Sequence, residues 1–290
     1  MLRRRPLVAV AFLLPALTIY AGLILYPLVR GAILTFTDNT GGPTSTFVGL
    51  TQYRKLLHDP DVGAALNHTL IYAVTVVVIQ TAIGLALAAI LSRRARIRRF
   101  ASTVLLLPAL MSPVMASFIW AYLYEPEGGI NTLLGKIGLN HLQQIWLGNP
   151  SIALFSIAAV NIWMYAGYSC VIFLTGYTGI PQDMLDSAEI DGASAWQRFR
   201  RIEWPMLAPA LTVNVTLSLI GSLRVFEYPL VLTNGGPANS TQTLTLLVYR
   251  DIFGSSNFAY GTVVALLLLV IVVIAASVTS SLLRRRERVL

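Results

Sequence analysis

Six charge-poor apolar runs, each long enough to cross a lipid bilayer, constrain this chain more than any other feature. A helix needs roughly 20 apolar residues to span about 30 Å of hydrocarbon. The chain is 56% hydrophobic and 12% charged, and that charged share is about half the share of a soluble domain. We therefore predict an all-α integral membrane protein with six transmembrane helices. The runs lie near residues 7–29, 70–91, 101–124, 152–177, 205–232 and 258–283.

The first run follows Arg3, Arg4 and Arg5, as the apolar core of a secretory signal would. However, it is too long for such a core, and it passes through Pro15 and Pro27 without a small-residue cleavage site. We predict a retained helix.

The basic residues indicate the orientation of the helices. The net charge is +8, and arginines cluster before the first run and after the second, fourth and sixth runs. This pattern follows the positive-inside rule, so both termini are predicted to be cytoplasmic. No aromatic residues interleave with the cluster at 93–99, which disfavours nucleic acid as a partner. The clusters comprise residues 3–5, Arg93, Arg94, Arg96, Arg98, Arg99, Arg198, Arg200, Arg201, Arg284, Arg285, Arg286 and Arg288.

No catalytic constellation or metal site is predicted. His58, His68 and His141 are scattered and lack metal-ligand spacing, and Cys170 is the single cysteine. There is no phosphate-binding Walker A sequence, so we expect no enzyme activity and no cofactor on this chain.

One long polar stretch, residues 181–205, interrupts the apolar second half. Its pattern predicts two short helices separated by Gly192, with a Ser194–Gln197 capping box opening the second helix and Pro205 ending it. Trp196 and Phe199 share one face of that helix.

Two interpretations of this stretch are open on physical grounds. An amphipathic helix lying on the membrane surface would carry snorkelling arginines such as Arg198 and Arg201. Yet Asp186, Glu189 and Asp191 would face an anionic leaflet, and acids in that position favour a protein partner with basic residues.

The same stretch resembles a motif of a known family. The spacing Asp186-Ser187-Ala188, Gly192, Ile202, Pro205 matches the EAA loop of binding-protein-dependent ABC importer permeases, E-A-A, three residues, G, nine residues, I-x-L-P. The segments FVGLTQY at 47–53, residues 161–163 and TNGGP at 233–237 also resemble sugar permeases of the maltose and glycerol-3-phosphate type, in the first of their two permease subunits. The departures are Asp186 for Glu, Ser187 for Ala and Trp204 for Leu.

The resemblance implies a type I ABC importer permease fold, forming one permease domain over residues 1–290 in a bacterial cytoplasmic (inner) membrane. It implies three kinds of protein partner: a second permease subunit, two ATP-binding subunits that carry ATP and Mg, and an extracytoplasmic solute-binding protein. The loop at 181–205 would dock on an ATP-binding subunit and pass its movement to the helices. The residues that this role implies are Asp186, Ser187, Ala188, Gly192, Trp196, Phe199, Ile202 and Pro205.

Polar residues inside the fourth and fifth runs mark the expected solute path, since burying them in lipid is costly. Helix-to-helix hydrogen bonding is the alternative role for the same side chains. The residues are Asn161, Met164, Tyr165, Tyr168, Asn214, Ser218 and Ser222. All except Asn214 fall where the resembling maltose permease places its sugar contacts. Arg224 and Glu227 follow at i and i+3 near the outer end of the fifth run, where a structural ion pair or a gating role is predicted.

The sequence therefore predicts the permease subunit of an ATP-driven carbohydrate importer. An ion- or proton-coupled secondary transporter of a small polar solute is the alternative from another class, and it would carry inverted repeats and several membrane-embedded acids. A membrane scaffold without transport activity is a third class, and it predicts no ATPase dock.

Overall fold

The computed structural model describes residues 5–93 and 95–287. In this part of the chain the regular secondary structure is helical, with turns and loops between the helices and an isolated bridge between Thr37 and Phe47. Arg3, Arg4, Arg94 and Arg288 of the basic clusters lie outside it. The helices are α1 Arg5–Tyr20, α2 Tyr26–Leu34, α3 Thr51–His58, α4 Pro60–Ser92, α5 Ala95–Leu106, α6 Pro113–Leu123, α7 Gly129–Lys136, α8 Ala153–Thr178, α9 Gln182–Ile190, α10 Ala195–Arg198, α11 Trp204–Met206, α12 Ala208–Leu223, α13 Glu227–Thr233, α14 Leu244–Tyr249 and α15 Phe258–Glu287. Short π-helices span Ala21–Leu25, Phe199–Glu203 and Arg250–Gly254, and 3₁₀ turns span Pro108–Leu110 and Asn140–Leu142.

Four helices in the described residues are long and apolar enough to cross a membrane. They are Phe12–Leu34, Pro60–Ser92, Ala153–Thr178 and Phe258–Arg285. Two further helix pairs have the composition of a span but bend sharply, by 93° between Ile97–Leu110 and Pro113–Leu123 and by 67° between Ala195–Met206 and Ala208–Leu223. The all-helical prediction is thus confirmed, and by length and composition the described residues offer four to six candidate spans.

Proline explains why the fifth predicted helix is not continuous. The helix was expected to run from 205 to 232, but it is broken twice, at Leu207 and between Arg224 and Phe226. Pro209 has no N–H to donate to the carbonyl four residues earlier, and Pro229 likewise cannot bond Val225. The freed Val225 carbonyl instead accepts a 3.2 Å hydrogen bond from the Thr243 hydroxyl.

Pro205 does not end the second helix of the polar stretch, contrary to the prediction. It lies in α11, which continues directly from the π-helix Phe199–Glu203 as part of one helix over Ala195–Met206. The chain therefore stays helical as far as Met206, and the bend comes at Leu207.

The contacts divide the chain into two compact units, the first comprising residues up to Val62 with Leu247–Leu267. In this unit the Tyr53 hydroxyl lies 2.8 Å from the Thr35 hydroxyl, which ties α3 to the end of α2. The Tyr260 hydroxyl donates to the Asp59 carboxylate, and the Lys55 ammonium lies 3.9 Å from the centre of the Tyr260 ring.

The second unit comprises Gly63–Leu246 with the residues from Leu268 onward. Its main core lies where α4, α6, α8 and α13 pack, around Tyr72, Ile157 and Val160, all of which are fully buried. Helix α8 approaches α5 closely at Gly167. A Cβ at this position would overlap the Leu105 carbonyl, so the approach requires glycine. Small residues at such crossings let backbones come together, as in other membrane helices.

Candidate functional site

A cavity of about 320 Å³ lies within the second unit, walled by α4, α6, α8, α12 and α13; its surface is mostly apolar, and several polar side chains reach it. Six of the seven residues predicted for the solute path line it: Asn161, Tyr165, Tyr168, Asn214, Ser218 and Ser222. The helical spacing read from the sequence therefore did bring these side chains to one place.

Several of these polar groups also hold the helices together. The Asn161 amide donates to the Tyr72 hydroxyl at 2.8 Å, joining α8 to α4. The Asn214 amide donates to the Thr81 hydroxyl at 2.9 Å, joining α12 to α4. The Asn214 amide oxygen is buried and has no hydrogen-bond partner among the described residues. The two roles left open by the sequence, cavity lining and helix contact, thus occur in the same residues.

Gln80 is a cavity residue that the sequence reasoning missed. Its amide donates to the Ser169 hydroxyl at 2.8 Å and to the Ser218 hydroxyl at 3.0 Å, so it bridges α4, α8 and α12. It is only 4% exposed. The available signal was a long amide side chain in the middle of an apolar run, since a polar group there needs a partner.

Met164 is a correction to the predicted solute path. It is fully buried in the main core and is not among the residues that line the cavity. The Tyr228 hydroxyl donates to its sulfur at 2.9 Å, and Tyr228 does line the cavity. The wall at this level is therefore formed by a tyrosine of α13, which packs over the methionine.

Arg224 and Glu227 do not form the structural ion pair that was one of their two predicted roles, and the gating role stays a prediction. They lie on either side of the chain break, with Arg224 following α12 and Glu227 opening α13. Within the described residues they form no ion pair with each other, because the break removes the one-turn helical spacing that would bring them together. Both side chains line the cavity instead.

The polar stretch at 181–205 forms the two predicted helices with a turn between them. Gly192 has a φ of +73°, a conformation that glycine adopts without steric cost. The capping box is present: the Ser194 hydroxyl accepts from the Gln197 N–H at 3.3 Å, and the Gln197 side chain accepts from the Ser194 N–H at 2.7 Å. The start of the second helix is thus set locally, as predicted.

This stretch, which we call the coupling segment (residues 181–205), exposes several large apolar side chains. Ile190 is 87% exposed and Trp196 is 66% exposed. Trp196 stacks on Phe199 with ring centres 5.7 Å apart, which confirms that the two share a face. Asp186 is exposed and accepts a 2.8 Å hydrogen bond from the Gln182 amide, while Ala188 is buried. Exposed apolar side chains and carboxylates along one short segment have the chemistry of a protein-binding surface.

The remaining residues of the predicted dock lie along the same segment. Ser187 is exposed and bonds back to the Asp183 carbonyl at 2.8 Å. Phe199 and Ile202 lie in the π-helix Phe199–Glu203 and are half-buried, as is Pro205 in α11.

A cavity that polar side chains reach among apolar helices, together with an exposed amphipathic segment, is typical of a membrane transport component. Residues 80–288 match the family described as the inner membrane component of binding-protein-dependent transport systems. The chain belongs to this family, as the EAA-like spacing predicted.

Individual relatives agree with this assignment. The chain is 37% identical to a probable ABC transporter permease protein of Pyrococcus horikoshii, over 88% of each chain. It is 31% identical to a trehalose/maltose transport system permease protein of Thermococcus litoralis, over 88% of this chain and 86% of the relative. A solved bacterial ABC transporter involved in the import of the acidic polysaccharide alginate contains a chain with the same fold, at a TM-score of 0.84 and 22% identity, over 97% of this chain and 96% of that one.

Proposed function

We propose that this chain is a permease subunit of an ATP-driven ABC importer and that its cavity is this subunit's half of a path for a sugar or sugar derivative. The observation that carries the proposal is the cavity in which two asparagines, two serines and Tyr165 and Tyr168 converge. Amides and hydroxyls suit the many hydroxyls of a sugar, and tyrosine rings offer flat apolar faces to its ring.

Two further observations support a sugar as the solute class. The relative from Thermococcus litoralis is named for trehalose and maltose. Arg224 and Glu227 line the cavity without an ion pair between them, so each retains hydrogen-bonding capacity toward a hydroxylated solute.

The coupling segment is the proposed dock for an ATP-binding subunit. Its exposed Ile190 and Trp196 supply apolar contact, and Asp186 supplies a charge for a basic partner. In this proposal two ATP-binding subunits carry ATP and Mg, a second permease completes the path, and an extracytoplasmic solute-binding protein delivers the solute. The chain would cross a bacterial cytoplasmic membrane six times with both termini inside.

Reconstitution tests the proposal. A complex purified through a tag on this chain is placed in proteoliposomes, with its solute-binding protein and a panel of radiolabelled mono- and disaccharides on one side. Uptake is measured with ATP or with a non-hydrolysable ATP analogue on the other side, where the ATP-binding subunits lie. We expect an ATP-binding protein in the complex and uptake of at least one sugar with ATP only. Uptake that does not depend on ATP and is abolished by a protonophore would instead support the secondary transporter. Glu227, which lines the cavity, would then be the candidate proton-binding acid.

A further inference from the structure

Glu203 is a buried carboxylate held by side chains from three different segments. It is 3% exposed. The Arg198 Nε, at the end of α10, donates to one carboxylate oxygen at 3.0 Å, and the Tyr177 hydroxyl, in the last turn of α8, donates to the other at 3.3 Å. The Arg93 guanidinium, directly after α4, lies 3.8 Å from the carboxylate.

The π-helix makes the Arg198 contact possible. Residues five apart in an α-helix point about 140° away from each other, because each residue turns the helix by about 100°. The Phe199–Glu203 segment is π-helical, and a π-turn, with its i to i+5 hydrogen bonds, brings residues five apart close to alignment. The wide turn thus directs the Glu203 carboxylate back onto Arg198 and inward toward Tyr177.

The Arg198 and Arg93 contacts with Glu203 differ in distance and in exposure to solvent. The Arg198 side chain is 22% exposed and makes a short charged hydrogen bond, whereas the Arg93 side chain is 46% exposed and lies at a longer distance. A cavity of about 480 Å³ borders all four side chains, so there is open space into which Arg93 can withdraw. Exposed ion pairs are individually weak and are readily exchanged for water.

We propose that Glu203 is the positioning residue that transmits movement of the coupling segment to the transmembrane helices. Its bond from Tyr177 fixes the segment to the end of α8, and its bond from Arg198 holds the carboxylate in place within the segment. Its contact with Arg93, directly after α4, forms and breaks as the segment moves. The inference rests on the proposed function, because it assumes that an ATP-binding subunit moves the segment. Glu203 occupies the x position of the I-x-L-P end of the EAA-like motif, between Ile202 and Trp204. The motif specifies no residue type there, so it does not predict this role.

The test compares variants in the reconstituted complex by the amount of solute imported for each ATP hydrolysed. Glu203→Gln removes the charge while keeping the side-chain size, and Arg93→Gln removes only the weaker contact. Arg98→Gln is the matched control, since Arg98 borders the same cavity but forms no ion pair in the described part of the chain. Co-purification of the ATP-binding subunit and the thermal midpoint of the complex are recorded for every variant.

We expect Glu203→Gln to lower the import-to-hydrolysis ratio by about 3- to 30-fold, as mutations along a coupling network do, while the ATP-binding subunit still co-purifies. Arg93→Gln should lower the ratio less, and Arg98→Gln should leave it unchanged. If Glu203→Gln prevents assembly, Tyr177→Phe removes one hydrogen bond without removing the charge and is measured in the same way.

A normal ratio in each assembled variant among Glu203→Gln, Arg93→Gln and Tyr177→Phe, or an equal loss in Arg98→Gln and Arg93→Gln, would overturn the inference. A wild-type complex that imports nothing with ATP would instead count against the proposed function. The two failures are therefore distinguishable.

Discussion

The Asn161 carboxamide donates a 2.8 Å hydrogen bond to the Tyr72 hydroxyl at the wall of the cavity. Tyr72 is fully buried and Asn161 is 7% exposed. One side chain thus contributes both to the contact between α8 and α4 and to the cavity lining. A substitution at Asn161 changes both, and only a partner variant at Tyr72 separates them.

Asn161→Ala should therefore be compared with Tyr72→Phe. The first removes an amide from the cavity, and a hydrogen bond worth about 1 kcal/mol to the solute predicts roughly a fivefold higher half-saturating solute concentration. Tyr72→Phe removes only the helix contact, so we expect a lower thermal midpoint with half-saturation within about twofold of wild type. Equal shifts in half-saturation, measured by uptake over a range of solute concentrations, would assign Asn161 to helix packing alone.

Gly192 should tolerate asparagine better than valine. Its φ is +73°, and a Cβ at this position would meet no atom of this chain within 4 Å, so strain is the only cost inside the chain. The left-handed conformation costs an ordinary residue about 1–2 kcal/mol, and a β-branched residue more, whereas asparagine visits it readily. We expect Gly192→Val to reduce solute-stimulated ATP hydrolysis at least severalfold and Gly192→Asn to retain most of it. Equal activity of the two variants would show that the turn is not required for coupling.

The predicted orientation places α7 outside and α10 in the cytoplasm. In a Cys170→Ala background, Lys136→Cys should react with an impermeant maleimide on intact cells, and Ala195→Cys should react only after permeabilisation. Both positions are exposed in this chain, so in cells that express it without the ATP-binding subunits the membrane alone should decide the difference. Labelling of Ala195→Cys on intact cells would reverse the topology and remove the coupling segment from the ATP side.

Gly167→Ala should destabilise the second unit. Its Cβ would overlap the Leu105 carbonyl, so α5 or α8 must shift, and overpacking of this kind costs about 1–3 kcal/mol. Gly63→Ala is the matched control, because it lies in α4 with nothing within 4 Å and should be neutral or slightly stabilising. The measurement is the thermal midpoint in detergent, and no difference between the two variants would contradict the close helix approach.

The Asp251 carboxyl should make the stability of the folded protein depend on pH. Its pKa is raised from 3.8 to about 6, chiefly by burial; the charge of Lys55 opposes this shift, and the charges of Asp59 and Asp61 add to it. The folded state therefore binds this proton more tightly than the unfolded chain, and the resulting stability is lost as pH rises through that interval. Asp251→Asn should raise the thermal midpoint at about pH 7.5 and change it less at about pH 4.5.

Asp38→Asn is the comparison variant, because its effect on the thermal midpoint at the higher pH should be opposite to that of Asp251→Asn. Hydrogen bonds from the Thr46 hydroxyl and N–H lower the pKa of Asp38, so its charged form favours folding above that pKa. Asp38→Asn should lower the midpoint at the higher pH. An Asp251→Asn effect that does not vary with pH would rule out a raised pKa at Asp251.

The sequence by itself determined the features that depend on neighbours along the chain. Four of the six apolar runs correspond to long helices, while the third and fifth runs form bent helix pairs. The Ser194–Gln197 pair predicted a capping box that is present, and Gly192 marked a turn with positive φ. These features follow from local sterics and from hydrogen bonds that reach only a few residues. The EAA-like spacing predicted the family for the same reason, because all its residues lie within one short segment of the chain.

Only the tertiary structure decided which side chains meet across the helices. The Gln80 bond to Ser218 joins residues 138 apart in sequence, and the Asn161 bond to Tyr72 joins residues 89 apart. The break between α12 and α13 separates Arg224 from Glu227, and both side chains line the cavity. Such contacts depend on how helices rotate, bend and pack against each other, and no pattern within a single helix records that geometry.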